Sequence, residues 1–292
     1  MRNFRRLLYK EQVGYLMILP FYVLFFLFVL LPVIINLGMC FTNYNFRAFK
    51  IIGLRNFQAL FQDAKFLVSI KNTLYYALYT VGLTMVLSFF LALMMNINYR
   101  AMHFCRAAFY VPHVASMVAV SMVWLLMYNS YYGILNKILK MIGLPPQTWL
   151  LDPALSMPCL IVMGVWKGLG YNIMLFLAGL QGVPQELYEA ASIDGAGRGQ
   201  SLIHITLPSL KSVTFFIAIN ACINSFSVFD QVNVMTGGGP LDTTTTIVHQ
   251  IYTRSFSEFR VGYGASIAVC LVCVVFLFTV ISFRISHQNE IN

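Results

Sequence analysis

The sequence predicts an all-α, polytopic membrane protein with six transmembrane helices. Of its 292 residues, 59% are hydrophobic and only 10% are charged, whereas a soluble globular domain carries about 25% charged residues. Apolar runs recur along the whole chain, each near the ~20 residues with which a helix crosses the hydrocarbon core. The runs lie at 15–38, 72–95, 105–128, 157–180, 208–230 and 263–284. They predict one transmembrane domain over 15–284, with short cytoplasmic segments 1–14 and 285–292 outside it.

The first apolar run, 15–38, follows four basic residues within the first ten positions. At 1.5 Å per residue it is roughly 36 Å long, which exceeds the core of a signal peptide. We therefore expect a retained first span, bent at Pro20 and Pro32.

Six spans place both chain ends on one side of the membrane, together with the loops 96–104 and 181–207. Apart from Lys167, the lysine and arginine residues are divided evenly, nine on each side of the membrane. The basic cluster before the first span favours cytoplasmic termini. The other basic residues stand singly at the ends of apolar runs, so the net charge of +9 indicates membrane anchoring and no nucleic-acid partner.

The sequence carries no motif for catalysis. The phosphate-cradling pattern G-x-x-x-x-G-K-[ST] does not occur in it, so we expect neither ATPase activity nor a catalytic residue in this chain. Cys270 and Cys273 have the spacing of a metal site. They lie in an apolar run without a nearby histidine or carboxylate, which favours helix packing and predicts no metal.

The stretch 182–210 is polar and rich in glycine, and it separates two long apolar runs. Pro184 suits the first turn of a short helix and Gly195 suits its end. Between them, small or polar residues recur at three- and four-residue spacing, so one helix face is narrow enough for another protein to approach closely. We expect a second helical run from Gln200 to Leu207.

Three motifs of this stretch, in order, resemble the EAA loop of permease subunits in bacterial ATP-binding-cassette importers. They are Glu189-Ala190-Ala191, Asp194-Gly195-Ala196-Gly197 and Ile205-Thr206-Leu207-Pro208. The resemblance implies a cytoplasmic helix that docks into the ATPase subunit and transmits its closure to the membrane helices. The implied coupling residues are Glu189, Ala190, Ala191, Asp194, Gly195 and Gly197. The alternative is an amphipathic loop without a partner.

Two further motifs resemble the sugar-importer branch of this family. One is the external segment that contains 53–57, 63–66 and 72–73, and the other is the glycine–proline loop 236–240. The resemblance implies a carbohydrate substrate, a second homologous permease, two ATPase subunits that hold ATP and magnesium, and an extracytoplasmic solute-binding protein. Amphipathic pieces at Tyr132–Ile142 and Thr246–Phe256 suit either contact with that external protein or simple interfacial packing.

Polar residues within the fourth and fifth runs are the candidate substrate contacts. They are Lys167, Tyr171, Asn172, Asn220, Asn224 and Ser225. Amides, a hydroxyl and an aromatic ring suit a sugar, although hydrogen bonding between helices is the alternative for each residue. Lys167 is the one charge well within a run, and it either snorkels, faces a water-filled cavity or lies near the interface. In maltose-like members, Tyr171 and Ser225 match sugar-contacting positions, but Val228 stands where a further asparagine is found.

These features predict the permease subunit of an ATP-driven, binding-protein-dependent importer in the cytoplasmic membrane. We expect it to carry an oligosaccharide, with a polyol or glycerol phosphate as the alternative cargo. An ion-coupled carrier is a different class, and it normally places a carboxylate within a span. None lies inside the six runs, since Asp230 comes only at the end of the fifth.

Overall fold

The all-helical architecture predicted from the sequence is confirmed by a computed structural model. The structure describes the backbone of residues 2–97 and 99–291, and the side chains of 14–97, 99 and 101–284. Within the described backbone no β-strand forms, and 77% of the chain is helical. Of the predicted end segments, residues 1–13 and 285–292 lie outside the described side chains.

Fifteen α-helices are present in the described backbone, several of them joined by π-helical turns. Their bounds are α1 Arg2–Phe25, α2 Leu31–Met39, α3 Arg55–Gln62, α4 Ala64–Met95, α5 Arg100–Val114, α6 Met117–Met127, α7 Ile134–Met141, α8 Ser156–Gln181, α9 Gln185–Ile193, α10 Arg198–Ser201, α11 Leu207–Ser209, α12 Lys211–Phe226, α13 Asp230–Met235, α14 Ile247–Tyr252 and α15 Val261–Ile291.

Four helical stretches are long and apolar enough to cross a membrane. They are Gly14–Met39, Ala64–Met95, Ser156–Gln181 and Val261–Arg284. Two bent pairs, α5 with α6 and the α10–α11 segment with α12, raise the number to six if each pair is one span. The predicted count of six spans is therefore reached when each bent pair is taken as one span.

The third and fifth predicted spans are bent. The third run, 105–128, bends by 101° between α5 and α6. Pro112 lies inside α5, two residues before the helix ends, and the break itself lies at Ala115 and Ser116, whose ψ angles of 146° and 135° are not helical. The fifth run, 208–230, bends by 64° where α12 begins, and α12 ends at Phe226. Asp230 accordingly begins α13 and is not the end of a span.

The described chain divides into two compact units, residues 1–62 with 251–271 and residues 63–250 with 272–292. In the first unit, Asn56 donates hydrogen bonds from Nδ2 to the carbonyls of Cys40 and Thr42, both at 2.8 Å. These bonds fix the turn after α2. The most apolar window of the first span contains no buried residue, as expected for a helix that faces lipid or a partner subunit.

In the second unit, α8 is the central helix, and its glycines let two neighbours approach closely. A β-carbon at Gly164 or Gly168 would meet the side chains of Tyr76 and Thr84 on α4, while one at Gly170 would meet the backbone of α5. Small residues at such crossings are the usual basis of helix association in membranes. They bring α4, α5 and α8 together around the polar residues described below.

The glycine–proline loop, 236–240, forms the predicted turn after α13. Gly237 and Gly238 have positive φ angles of 57° and 85°, which side chains rarely adopt. Asn72 on α4 holds the segment that follows, because its Nδ2 donates to the carbonyls of Asp242 and Thr245 at 2.9 Å. The predicted amphipathic pieces are helical as well, in α7 and α14.

Candidate functional site

A cavity of about 380 Å³ lies within the second unit, between α4, α8, α12 and the bend of the third span. All six polar residues predicted from the fourth and fifth runs line it, namely Lys167, Tyr171, Asn172, Asn220, Asn224 and Ser225. Its volume falls in the range of small-molecule pockets, roughly 300–1,000 Å³. The structure therefore gathers the predicted residues into one site, while their contact with substrate stays a prediction.

On α8, Tyr171 and Lys167 face the bend of the third span. The Tyr171 ring stacks on the imidazole of His113, with centroids 4.9 Å apart and planes inclined by 16°. Asn172 is buried on the next position and also lines the cavity. Both stacked rings line the cavity, so Tyr171 and His113 contribute an aromatic part of its wall.

Lys167 lies near the middle of α8 and contacts the broken end of α5. Its ammonium donates to the carbonyls of Pro112, His113 and Ala115, at 3.0, 3.2 and 2.6 Å. These carbonyls end a helix, where the backbone dipole favours a positive charge. Lys167 thus faces the cavity, which is one of the three alternatives stated from the sequence. It also donates hydrogen bonds to the carbonyls at the bend.

On α12, Asn220 and Asn224 lie one helical turn apart, with Ser225 beside them. The Nδ2 of Asn220 donates to the carbonyl of Phe216 at 2.9 Å, so that amide is partly engaged by its own helix. Asn224 is exposed on the cavity wall and Ser225 is buried. Asn224 therefore presents both a donor and an acceptor to the cavity.

Two charged side chains of opposite sign, Lys167 and Asp230, are found among the described residues of the cavity lining. The lysine charge is held by three carbonyls. The rest of the polar lining consists of hydroxyls, amides and one imidazole. The site is therefore close to neutral and rich in both donors and acceptors.

Several residues of the cavity lining were not predicted from the sequence. They are Tyr76, Thr80 and Thr84 on α4, His113 on α5 and Gln231 on α13. Three hydroxyl residues at four-residue spacing in an apolar run would have indicated a polar stripe on α4. Gln231 carried no such signal, because its role depends on the turn that folds α13 back onto α6.

The predicted coupling segment, 182–210, joins the two helices that carry the candidate substrate residues. α8 ends at Gln181 and α12 begins at Lys211. Where the segment meets α12, Leu210 and Val213 pack against α8 at Gly179. A β-carbon at Gly179 would lie 2.6 Å from the Leu210 side chain, so this close approach depends on glycine. A displacement of the segment therefore acts on both helices at once.

Helix α9 matches the predicted bounds closely and ends as expected. Gly195 has a φ of 80°. Its N–H donates to the carbonyl of Ser192, and the N–H of Ala196 donates to the carbonyl of Ala191, which together form a Schellman motif. Pro184 caps the start of α9 and does not enter its first turn. The Tyr188 hydroxyl bonds to Thr206 at 3.0 Å and ties α9 to the segment that follows.

No residue of α9 is buried, although the helix carries large apolar side chains. Leu187 is 47% and Ile193 is 87% exposed. Glu189 is exposed as well, and its carboxylate accepts a hydrogen bond from Gln185 at 3.0 Å. Exposed apolar residues around a fixed carboxylate are typical of a surface that meets another protein.

A family model for the binding-protein-dependent transport system inner membrane component matches residues 85–288. The trehalose/maltose transport system permease protein MalF of Thermococcus litoralis is 34% identical over 290 residues, which cover 97% of this chain and 96% of that protein. The arabinooligosaccharides transport system permease protein AraP of Bacillus subtilis is 32% identical, with 95% of this chain and 89% of that protein covered.

A solved structure shares the fold over almost the whole length. It is a bacterial alginate ABC transporter in complex with an alginate pentasaccharide-bound periplasmic protein, and one of its chains is 26% identical with a TM-score of 0.85. The match covers 97% of this chain and 96% of that chain. These similarities confirm the resemblance stated from the sequence. The chain belongs to the binding-protein-dependent transport system inner membrane components, the membrane-spanning permeases of ABC importers.

Proposed function

We propose that this permease carries a neutral oligosaccharide through the cavity between α4, α8 and α12. The observation that carries the proposal is the position of the cavity, because both helices that supply its amides and aromatic surface are joined directly by the coupling segment 182–210. Support for a carbohydrate comes from two of the relatives, which are named for trehalose and maltose and for arabinooligosaccharides.

A neutral cargo is favoured over a phosphate or a uronic acid by the charges of the site. Anion recognition normally uses arginine or lysine donors that are free to meet the ligand. The Lys167 ammonium is already engaged by three carbonyls, and the Asp230 carboxylate repels an anion. Hydroxyls of a neutral sugar can pair with the amides of Asn220 and Asn224 without this penalty.

The energy would come from partner subunits. We propose that two ATPase subunits hold ATP and magnesium, and that a second homologous permease and an extracytoplasmic solute-binding protein complete the importer. Placing the exposed α9 against an ATPase puts both chain termini in the cytoplasm. Closure of the ATPases would then move α9, and through Gly182 and Lys211 it would reorient α8 and α12.

Replacing Asn224 by alanine tests the cavity as the sugar path. Loss of one donor and one acceptor should weaken the interaction of sugar with the transmembrane site by roughly five- to hundredfold, at ~1–3 kcal/mol. The measurement is uptake by the complete complex as a function of concentration, with whichever of trehalose, maltotriose and arabinotriose the wild type transports.

Two controls accompany Asn224→Ala. Sugar affinity of the separate binding protein should not change, since that protein makes its own contacts. Asn233→Ala removes an exposed amide outside the cavity lining and should transport like the wild type. A wild-type concentration dependence for Asn224→Ala would leave Asn224 as a packing residue.

Uptake should depend on ATP and not on ion gradients. The physical reason is that no carboxylate lies within the candidate spans of the described chain to bind a coupling proton or sodium ion; Asp230, which lines the cavity, begins α13 beyond the end of the fifth span. Membrane vesicles that contain the complex and internal ATP should accumulate sugar after the proton and sodium gradients are collapsed. Loss of uptake in these vesicles, with persistence when ATP is depleted and the gradients are kept, would favour an ion-coupled carrier.

A further inference from the structure

Helix α4 presents a stripe of hydroxyl groups to the cavity. Tyr76, Thr80 and Thr84 follow one another at four-residue spacing, and all three line the cavity. Each is buried, with 4%, 8% and 3% of its surface exposed. Because residues four apart share one face of a helix, the stripe forms a continuous polar wall on an otherwise apolar span.

Gln231 extends this wall from α13. Its side chain is fully buried, and its Nε2 donates to the Tyr76 hydroxyl at 2.6 Å and more weakly to the carbonyl of Leu160 at 3.5 Å. These bonds fix the amide in place. The other end of the amide, Oε1, is a buried acceptor that lies in the cavity lining without a hydrogen-bond partner.

The hydroxyl groups of Thr80 and Thr84 are likewise buried without a hydrogen-bond partner. The Thr84 hydroxyl is buried and has no partner, although a threonine in a helix normally donates to a carbonyl one turn back. The Thr80 hydroxyl is also buried without a hydrogen-bond partner, and the Tyr76 hydroxyl is its polar neighbour. Buried polar groups are nearly always satisfied, and polar residues inside spans are functional by default.

Helix packing explains only part of this arrangement. Gly168 of α8 lies against Thr84, and a β-carbon there would be 3.3 Å from the threonine methyl. That contact accounts for a small β-branched residue, but valine would fill the same space without a buried hydroxyl. Ser88, one turn further along α4, shows the contrast, because its hydroxyl donates to the carbonyl of Met85 at 3.1 Å and does not line the cavity.

We propose that Thr80, Thr84 and Gln231 form a further side of the substrate site and bind hydroxyl groups of the sugar. Two hydroxyls can each donate and accept, and the fixed Oε1 accepts, so the wall suits a ligand with several neighbouring hydroxyl groups. This inference rests on the proposed function and extends it to the second span. It predicts that the sugar is contacted from α4 and α13 as well as from α8 and α12.

The decisive substitution is Thr84→Val, which keeps the shape of the side chain and removes the hydroxyl. We expect the half-saturating sugar concentration for uptake to rise roughly three- to tenfold, the effect of one lost neutral hydrogen bond. The probe is again the transported member of trehalose, maltotriose and arabinotriose, supplied to the complete complex. Thr84→Ser keeps the hydroxyl, so its half-saturating concentration should stay near that of the wild type. Ser88→Ala should have the half-saturating concentration of the wild type as well.

Monodeoxy analogues of the transported sugar separate a contact from a packing effect. If Thr84 binds one hydroxyl, the analogue that lacks this hydroxyl should be transported equally well by the wild type and Thr84→Val. A merely structural role would impair every analogue alike. Thr80→Val should raise the half-saturating concentration as well, and it decides the question if Thr84→Val does not reach the membrane.

The proposal is overturned if Thr84→Val and Thr80→Val keep the wild-type half-saturating concentration. It is also overturned if Thr84→Ser is impaired as strongly as Thr84→Val, since shape would then be the cause. A wild-type complex that transports none of the three sugars contradicts the carbohydrate function itself. Failure of the proposed α4 contacts can therefore be told apart from failure of the carbohydrate function, because the first can be seen only in a wild-type complex that transports one of the sugars.

Discussion

Glu189→Lys is expected to abolish coupled uptake while the chain still enters the membrane. Glu189 is exposed on α9 one helical turn before the exposed Ile193, on the surface that we propose to meet an ATPase. Reversing its charge places a cation where a basic or polar partner group is expected, and like charges at an interface cost several kcal/mol. Uptake and sugar-stimulated ATP hydrolysis should both fall by roughly tenfold or more.

Glu186→Lys is the matched control, because Glu186 is exposed on the first turn of the same helix. That substitution changes the charge of α9 equally and should have a clearly smaller effect. Co-purification of the ATPase distinguishes lost docking from lost transmission. Wild-type uptake and stimulation in Glu189→Lys would remove the coupling assignment, whereas equal loss in both variants would assign the effect to helix charge in general.

The coupling segment was predictable from the sequence because its signals are local. A helix that begins after Pro184 and ends before Gly195 needs only propensities and a residue that tolerates positive φ. The shared face of Asn220 and Asn224 likewise follows from helical periodicity alone. These features did not require knowledge of any neighbouring helix.

The bend of the third span was missed because its cause is not local. Pro112 weakens the helix, but prolines inside transmembrane helices often produce only a kink. A break of 101° leaves backbone carbonyls without helical partners, and it persists only where another group supplies donors. Here the donor is Lys167, more than fifty positions away in the sequence. The polar wall of α4 was missed for the same reason, since Gln231 joins it only through the tertiary fold.

The second large effect is expected at Lys167. Lys167→Met should destabilise the complex strongly, because it removes the donors to three carbonyls at the end of α5. These hydrogen bonds are exposed or only partly buried, so each contributes about 0.5–1.5 kcal/mol net. A total of roughly 2–4 kcal/mol corresponds to a fall in melting temperature of roughly 5–10 °C. The measurement is thermal unfolding of the purified complex, together with the amount of the chain in the membrane.

Lys167→Arg keeps a charged donor and should recover part of the stability, while Lys140→Met removes an exposed lysine of α7 and should leave the melting temperature unchanged. The same variants separate the two roles open to Lys167. If its main role is to bind the sugar, Lys167→Met should melt like the wild type and show only a raised half-saturating concentration. If it holds the bend, stability should fall in the absence of sugar, because the carbonyls of Pro112, His113 and Ala115 lose their donor whether or not the cavity is filled.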